Sequence, residues 1–264
     1  ICEDLGNVYV SWIYDSPLIS LFNESVLNSC NYIFIFDHCE YLRVKNLGVK
    51  NVFHLPLAAN LNRSGALNIT KSDVKSYSHD ISFVGKLYEE NNYNEVIHIL
   101  PENISLPLKS YLIRNLCKWD EPKPWPIVNE DCLNYYSSHF DNLNFPKLMN
   151  KSEFLGIFIL SRKLAEMDRL TILNTIAESN RVDLYTQSIS PYLENIFVHN
   201  QVDYYTDMYK IFHLSKINLN ITLPSIESGI PLRIFDILSC GGFVLSNDQP
   251  ELEELFIKGK EIET

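Results

Sequence analysis

Apolar residues in the first sixty positions gather into three short blocks, "VYVSWIY" (8–14), "YIFIF" (32–36) and "NVFHLPL" (51–57). Each has strand length and is rich in β-branched and aromatic side chains. Between them, "SPLISLFNESVLNSC" (16–30) and "EYLRVKNLG" (40–48) carry helix-like apolar spacing, and Gly48 is a good helix stop. Strand, helix, strand, helix, strand is the grammar of a parallel sheet with right-handed crossovers. Three strands make a thin sheet, so the pattern predicts further strands before Ile1 and a chain that is a fragment.

Residues 58–79 are polar and aperiodic and read as a linker. A second strand–helix series begins with a strand over 80–84, followed by Gly85. Helical insertion material is expected over about 94–150, interrupted by the proline-rich "CKWDEPKPWP" (117–126). Residues 152–179 read as one long helix. Strands are predicted at 181–186, 195–200, 216–222 and 242–247, with helices at 203–215, from Pro231 to about Ser239, and at 250–256. The expectation is α/β class, with two units divided as 1–60, a linker over 61–79, and 80–264.

Charge narrows the partners. The formal net charge is -11, from 22 basic and 33 acidic side chains, and no local basic patch offsets it. Such a surface repels phosphate backbones, so no nucleic-acid partner is expected. No apolar run approaches the roughly 18 residues of a spanning helix, so no transmembrane segment is predicted. No secretory leader is visible, and six scattered cysteines without a CxxC pair read as reduced thiols, mostly small core residues. A cytoplasmic location follows as an expectation. The chain also lacks GxxxxGK[ST], GxSxG, HExxH and Asp-x-Asp, which removes support for P-loop, serine-hydrolase, zinc-protease and metal-chelating transferase chemistry.

The segment "LPSIESGIPLRIFDILSCGGFVLSND" (223–248) holds the best candidate chemistry. Pro231 opens an apolar helix whose polar stripe includes Arg233 and Asp236, three apart and therefore on one face. Free amides and the helix dipole suit an anion at its amino end. Gly229, just before, lets backbone approach a ligand, and Arg233 has the fork geometry for a diphosphate. The same spacing also fits an exposed Arg–Asp pair. Gly85 and Lys86 follow a predicted strand at the sheet edge where ligands bind, although Gly85 also fits a plain strand-end turn. Asp15 closes the first strand and is the candidate base for an acceptor hydroxyl, or else a cap for the next helix with Pro17. Asp37 and His38 end the second strand, where His38 is a weaker candidate base.

Taken together, residues 215–256, "YVSWIYDSP" (9–17), "FHLPLAAN" (53–60) and "HDISFVGKLY" (79–88) resemble the CgeB-like, spore-maturation-type glycosyltransferases of the GT-B superfamily, glycosyl transferases group 1. The resemblance implies a GT-B pair of Rossmann-type domains, the N-terminal acceptor-side one incomplete and the C-terminal one truncated. It implies a nucleotide-sugar donor held by Gly85, Lys86, Glu227, Gly229, Ile230, Arg233 and Asp236, with the ribose hydroxyls on Asp236. The family's two glutamates stand seven residues apart, whereas Glu227 and Asp236 are separated by eight and the second acid is shorter. No metal or other cofactor is expected, the acceptor is a glycan, protein or lipid-linked group, and retention at the anomeric carbon is the family analogy. A non-catalytic nucleotide-sugar or carbohydrate-binding protein of spore or envelope assembly, and less so a nucleotide-sugar epimerase, remain as alternatives.

Overall fold

The computed structural model describes residues 1–119, 128–139, 145–187 and 189–264. The proline-rich stretch expected to break the helical insertion lies, from residue 120 on, outside the described residues. Along the chain, β1 (Tyr9–Ile13), β2 (Asn31–Ile35), α1 (His38–Asn46) and β3 (Val52–His54) come first. Next come α2 (Leu61–Ser64), α3 (Lys71–Tyr77), β4 (Ile81–Val84), α4 (Asn92–Val96), α5 (Glu102–Asn115), α6 (Glu130–His139) and α7 (Lys151–Ala177). The series ends with β5 (Val182–Thr186), β6 (Phe197–Asn200), α8 (Met208–Leu214), β7 (Ile217–Asn220), α9 (Leu232–Ser239), β8 (Val244–Ser246) and α10 (Leu252–Leu255). Among the described residues no helix is long and apolar enough to cross a membrane.

The chain divides into two compact units. Unit 1 comprises Ile1–Pro56, Glu90–Leu164 and Leu223–Ile230; unit 2 comprises Leu57–Glu89, Ala165–Thr222 and Pro231–Thr264.

In unit 1, β1, β2 and β3 form a parallel sheet in that order, with Ile33 opposite Ser11 and Val52. Ile33, Ile35, Phe36, Val44 and Val52 are buried around it. Asp37 caps α1, accepting from the amides of Cys39 (3.0 Å) and Glu40 (3.2 Å). Gly48 ends that turn at φ +90°, a left-handed conformation that suits glycine. Residues 16–30 do not form the expected helix. They make two short 3₁₀ turns, Ile19–Phe22 and Glu24–Leu27, because Asn23 between them is extended (φ −105°, ψ 155°). The Asn31 side chain then takes the carbonyls of Ser25 and Val26, which closes the second turn.

In unit 2, five parallel strands run in the order β6-β5-β4-β7-β8. Within the unit this is the Rossmann-like order 3-2-1-4-5, reversing direction between β4 and β7. All four residues of β4 are buried, as a central strand covered on both faces requires. Asn218 in β7 is fully buried and accounts for its own polarity: its Oδ1 accepts from Ser82 Oγ at 2.9 Å while its amide donates to the carbonyls of Phe212 and Phe243. The expected linker proves to contain α2 and α3; α3 starts with a reciprocal Thr70–Asp73 capping box, a signature present in "TKSD" (70–73).

Two predictions follow from this packing. A Cβ added at Gly242 stands 2.5 Å from the Phe212 carbonyl oxygen, which is backbone and cannot step aside. Gly242→Ala should therefore cost about 1–3 kcal/mol of stability in urea unfolding. Second, burial lifts the Glu40 carboxyl from the ordinary 4.5 to about 8, against the Leu18 amide that donates to it at 2.7 Å and with Asp37 adding to the rise. A carboxyl with a higher pKa folded than unfolded favours folding fully below about 4.5, and the gain is lost as pH rises through about 8. Relative to Glu40→Gln, the natural chain should lose on the order of a few kcal/mol across that window. A pH-independent difference between the two chains would mean that Glu40 is ionised in the fold.

Candidate functional site

Open parallel sheets bind ligands beyond the carboxyl ends of the strands where the strand order reverses. In unit 2 that place lies past β4 and β7, at Gly85–Lys86 and Ile221–Thr222. The two sides are tied together by Arg169 of α7. Its guanidinium donates to the Lys86 carbonyl through Nη1 and to the Ile221 carbonyl at 2.8 Å through Nη2. The same group lies over the rings of Tyr88 (4.7 Å) and Phe83 (5.3 Å). Arg169 was not picked out from the sequence. The signal was there: Arg169 follows the buried Ala165 by four and precedes the buried Leu173 by four, so a cation sits on the helix face that packs inward.

Arg233 occupies the first turn of α9, and a Cβ built on Gly85 meets its Nη1 at 3.4 Å. The same Cβ would be tightest against the Phe83 ring, at 3.3 Å, so the guanidinium lies in ordinary contact with the strand end. Among the described residues Arg233 makes no hydrogen bond and no ion pair; the ring of Phe212 lies 5.8 Å away. Burial lowers its pKa, while Asp236 pulls the other way. Arg169 is also lowered, first by burial, and each positive charge opposes the other. Two guanidinium groups therefore share a poorly solvated corner, and neither makes an ion pair with a carboxylate among the described residues. Such a corner is electrostatically suited to an anion with several oxygens. Lys86 is exposed beside it.

Asp236 does not stand open toward a ligand, contrary to the sequence expectation of a carboxylate free for ribose hydroxyls. It is 2% exposed, with Oδ1 accepting from Tyr209 at 2.7 Å and Oδ2 from Tyr204 at 3.2 Å. Burial raises its pKa and the two phenols draw it back. The physical reason is the helix face: Asp236 lies between the fully buried Ile234 and Ile237, so its side chain points into the unit. It holds the hydroxyls of Tyr204 and Tyr209 in place. Arg63 of α2 stacks on the same group, 5.3 Å over Tyr204 and 4.4 Å over Tyr205.

The other expected donor residues, Glu227, Gly229 and Ile230, group with unit 1, as does Asp15. Glu227 is enclosed and paired with Arg43 at 2.5 Å, so its charge is already met. Gly229 has no room for a side chain: a Cβ there lies 2.8 Å from the Asp37 Cα and the Phe36 ring, so close packing on protein, not on a ligand, demands glycine at this point. Ile230 is buried. Asp37, fully buried, accepts from Ser16 Oγ (3.1 Å), Ser228 Oγ (3.0 Å) and the Glu227 amide (2.8 Å) as well as capping α1. His38 stacks on Tyr41. Asp15 is exposed at the carboxyl end of β1 and caps no helix.

Removing the Asp236 carboxylate strands two phenolic hydroxyls. Asp236→Ala should lower stability by about 2–3 kcal/mol, and Asp236→Asn, which keeps an acceptor, by clearly less. Equal melting temperatures for Asp236→Ala and the natural chain would show that the tyrosines find water instead.

No match to the chain was found among curated proteins or among solved structures. Residues 162–264, which include Arg169, Arg233 and Asp236, match the protein family described as "Glycosyl transferase-like", and this supports sugar transfer as the general role of that part of the chain.

Proposed function

We propose that this chain serves a glycosyltransferase of the CgeB-like, GT-B type, which transfers a sugar from a nucleotide-sugar donor. The observation that carries the reading is the Arg169–Arg233 corner at the reversal of strand order, two cations that make no ion pair among the described residues. In sugar transfer the acceptor oxygen forms a bond to the anomeric carbon while the bond from that carbon to the diphosphate breaks. Negative charge then grows on the leaving diphosphate, and fixed positive groups stabilise it most where water is scarce. Arg233, the free amides at the start of α9 and the exposed Lys86 supply that charge, with Arg169 holding the corner's shape. Asp236 is a positioning residue that fixes Tyr204 and Tyr209. Asp15, exposed at a strand end, is the proposed acceptor for the incoming hydroxyl's proton.

The test uses calorimetric titration with a panel of nucleosides, nucleoside diphosphates and nucleotide sugars. Arg233→Met should lose about 100-fold in affinity for the diphosphates and little for the nucleosides, as loss of two charge-assisted hydrogen bonds predicts. It should keep or raise the melting temperature, since it removes an unpaired, poorly solvated charge. Equal losses for nucleoside and diphosphate would overturn the diphosphate role. Turnover separates the alternatives: acceptor-dependent release of nucleoside diphosphate marks a transferase, binding without turnover a binding protein, and donor-sugar interconversion without acceptor an epimerase.

A further inference from the structure

The five-stranded sheet carries a second cluster, nearer its amino end. His79 lies two residues before β4, Asp183 is in β5 and His199 in β6. Asp183 is in register with Ser82 and Phe197, and Tyr185 with His199. Register partners in a parallel pair share a face, and so do residues two apart, which places Asp183, Tyr185 and His199 together. His199 Nε2 is 2.7 Å from Asp183 Oδ1, and His79 Nδ1 is 3.2 Å from Asp183 Oδ2. One ligand atom from each residue fits within a mutual spacing of 4.8 Å.

Both imidazoles are held from behind by one residue. The Tyr185 hydroxyl lies 2.7 Å from His79 Nε2, and its ring stacks on His199 with centroids 4.5 Å apart and planes 17° from parallel. In the ion-free chain His79 Nδ1–H donates to Asp183 and Nε2 accepts from the Tyr185 hydroxyl; with an ion bound, the tautomer that has Nε2–H donating to the tyrosine frees the Nδ1 lone pair for the metal. This is the arrangement in which an outer partner fixes the tautomer and orientation of a metal-binding histidine. His79 and Asp183 are buried while His199 is half-exposed on the edge strand, which leaves a path from solvent. Arg181 also grips Asp183, at 2.9 Å to Oδ2 and 3.2 Å to Oδ1. A carboxylate offers about four lone-pair positions; Arg181 takes two and the imidazoles the other two, and an ion between the three side chains takes over the positions the imidazoles now hold. The Arg181 side chain is itself about half exposed and stacks on Phe197 at 4.1 Å, so it orients the acid from the rim.

We infer that His79, Asp183 and His199 form a binding site for a divalent transition-metal ion of the zinc type. Two neutral imidazoles and one carboxylate are a ligand set that zinc accepts, with a fourth position left for water. An ion there pins the edge strand β6 and the entry to β4 onto β5. The site shares no side chain with the arginine corner: Asp183 stands level with Ser82, three residues or about 10 Å before Gly85, and His199 stands level with Val84 but two strands to the side. The inference therefore does not rest on the donor reading.

Cobalt(II) titration of the whole purified chain, followed by its visible ligand-field bands, tests this directly. One equivalent should give tetrahedral bands, and zinc(II) should displace them and raise the melting temperature. His199→Ala should abolish both effects, with His199→Gln as the second variant should alanine unfold the edge. Tyr185→Phe, which keeps the ring and removes the hydroxyl behind His79, should weaken binding about tenfold. The absence of bands in the natural chain, bands that persist in both His199 variants, or bands accompanied by thiolate charge transfer from the free cysteines would each overturn the assignment.

Discussion

The Arg169 guanidinium bridges the carbonyls that follow β4 and β7, the two strands between which the sheet order turns back. Parallel neighbours have no direct loop between them, and the β4–β7 ladder pairs Ile81 and Ser82 with Ile217 and Asn218, short of the strands' carboxyl ends. Arg169 joins those ends and at the same time leaves a positive charge where a ligand for this fold is expected. Arg233 then arrives on α9, beside the strand end at Gly85. The corner is stable as built only because aromatic faces and backbone oxygens partly replace water around the two cations.

Around the 223–230 segment the polar groups are satisfied within unit 1. Asp37 collects five donors from β1's exit, α1 and the 223–230 segment, all inside unit 1. Glu227 is matched by Arg43, and Gly229 by the flat approach to Phe36. That segment's acidic residue and glycine are therefore accounted for by packing and pairing, whereas Arg233 a few residues later is not. The contrast is what makes Arg233 informative: Glu227 has its base in contact, whereas half-buried Arg233 feels Asp236 only at a distance and makes no hydrogen bond or ion pair among the described residues.

The histidine cluster lies toward the edge strand β6 of the same sheet and uses different physics. Its charges balance locally, Asp183 against Arg181, and its geometry comes from strand register and one tyrosine. The cluster is spread over residues 79, 183 and 199 and shows no short spacing, so nothing in the linear sequence marks it as a ligand set.

Most elements were legible in the sequence because each depends on neighbours two to four residues away: the β-branched blocks of β1, β2 and β4, the single long helix α7, and the amphipathic turn from Pro231. The failures were local competitions, an extended Asn23 splitting one expected helix and an overlooked capping box hiding another. The residues of the candidate site, Gly85, Lys86 and Arg233, could be picked out in the sequence, since glycine after a strand and arginine at a helix start carry their chemistry with them. Which groups meet was not. Asp236 finds its partners 27 and 32 residues away, His79 meets a tyrosine 106 residues away, and Arg169 reaches two separate strand ends. Those distances are closed by strand order and register, which periodicity does not encode, so the sequence determined which chemistry was present and only the tertiary structure decided which charges were left unpaired.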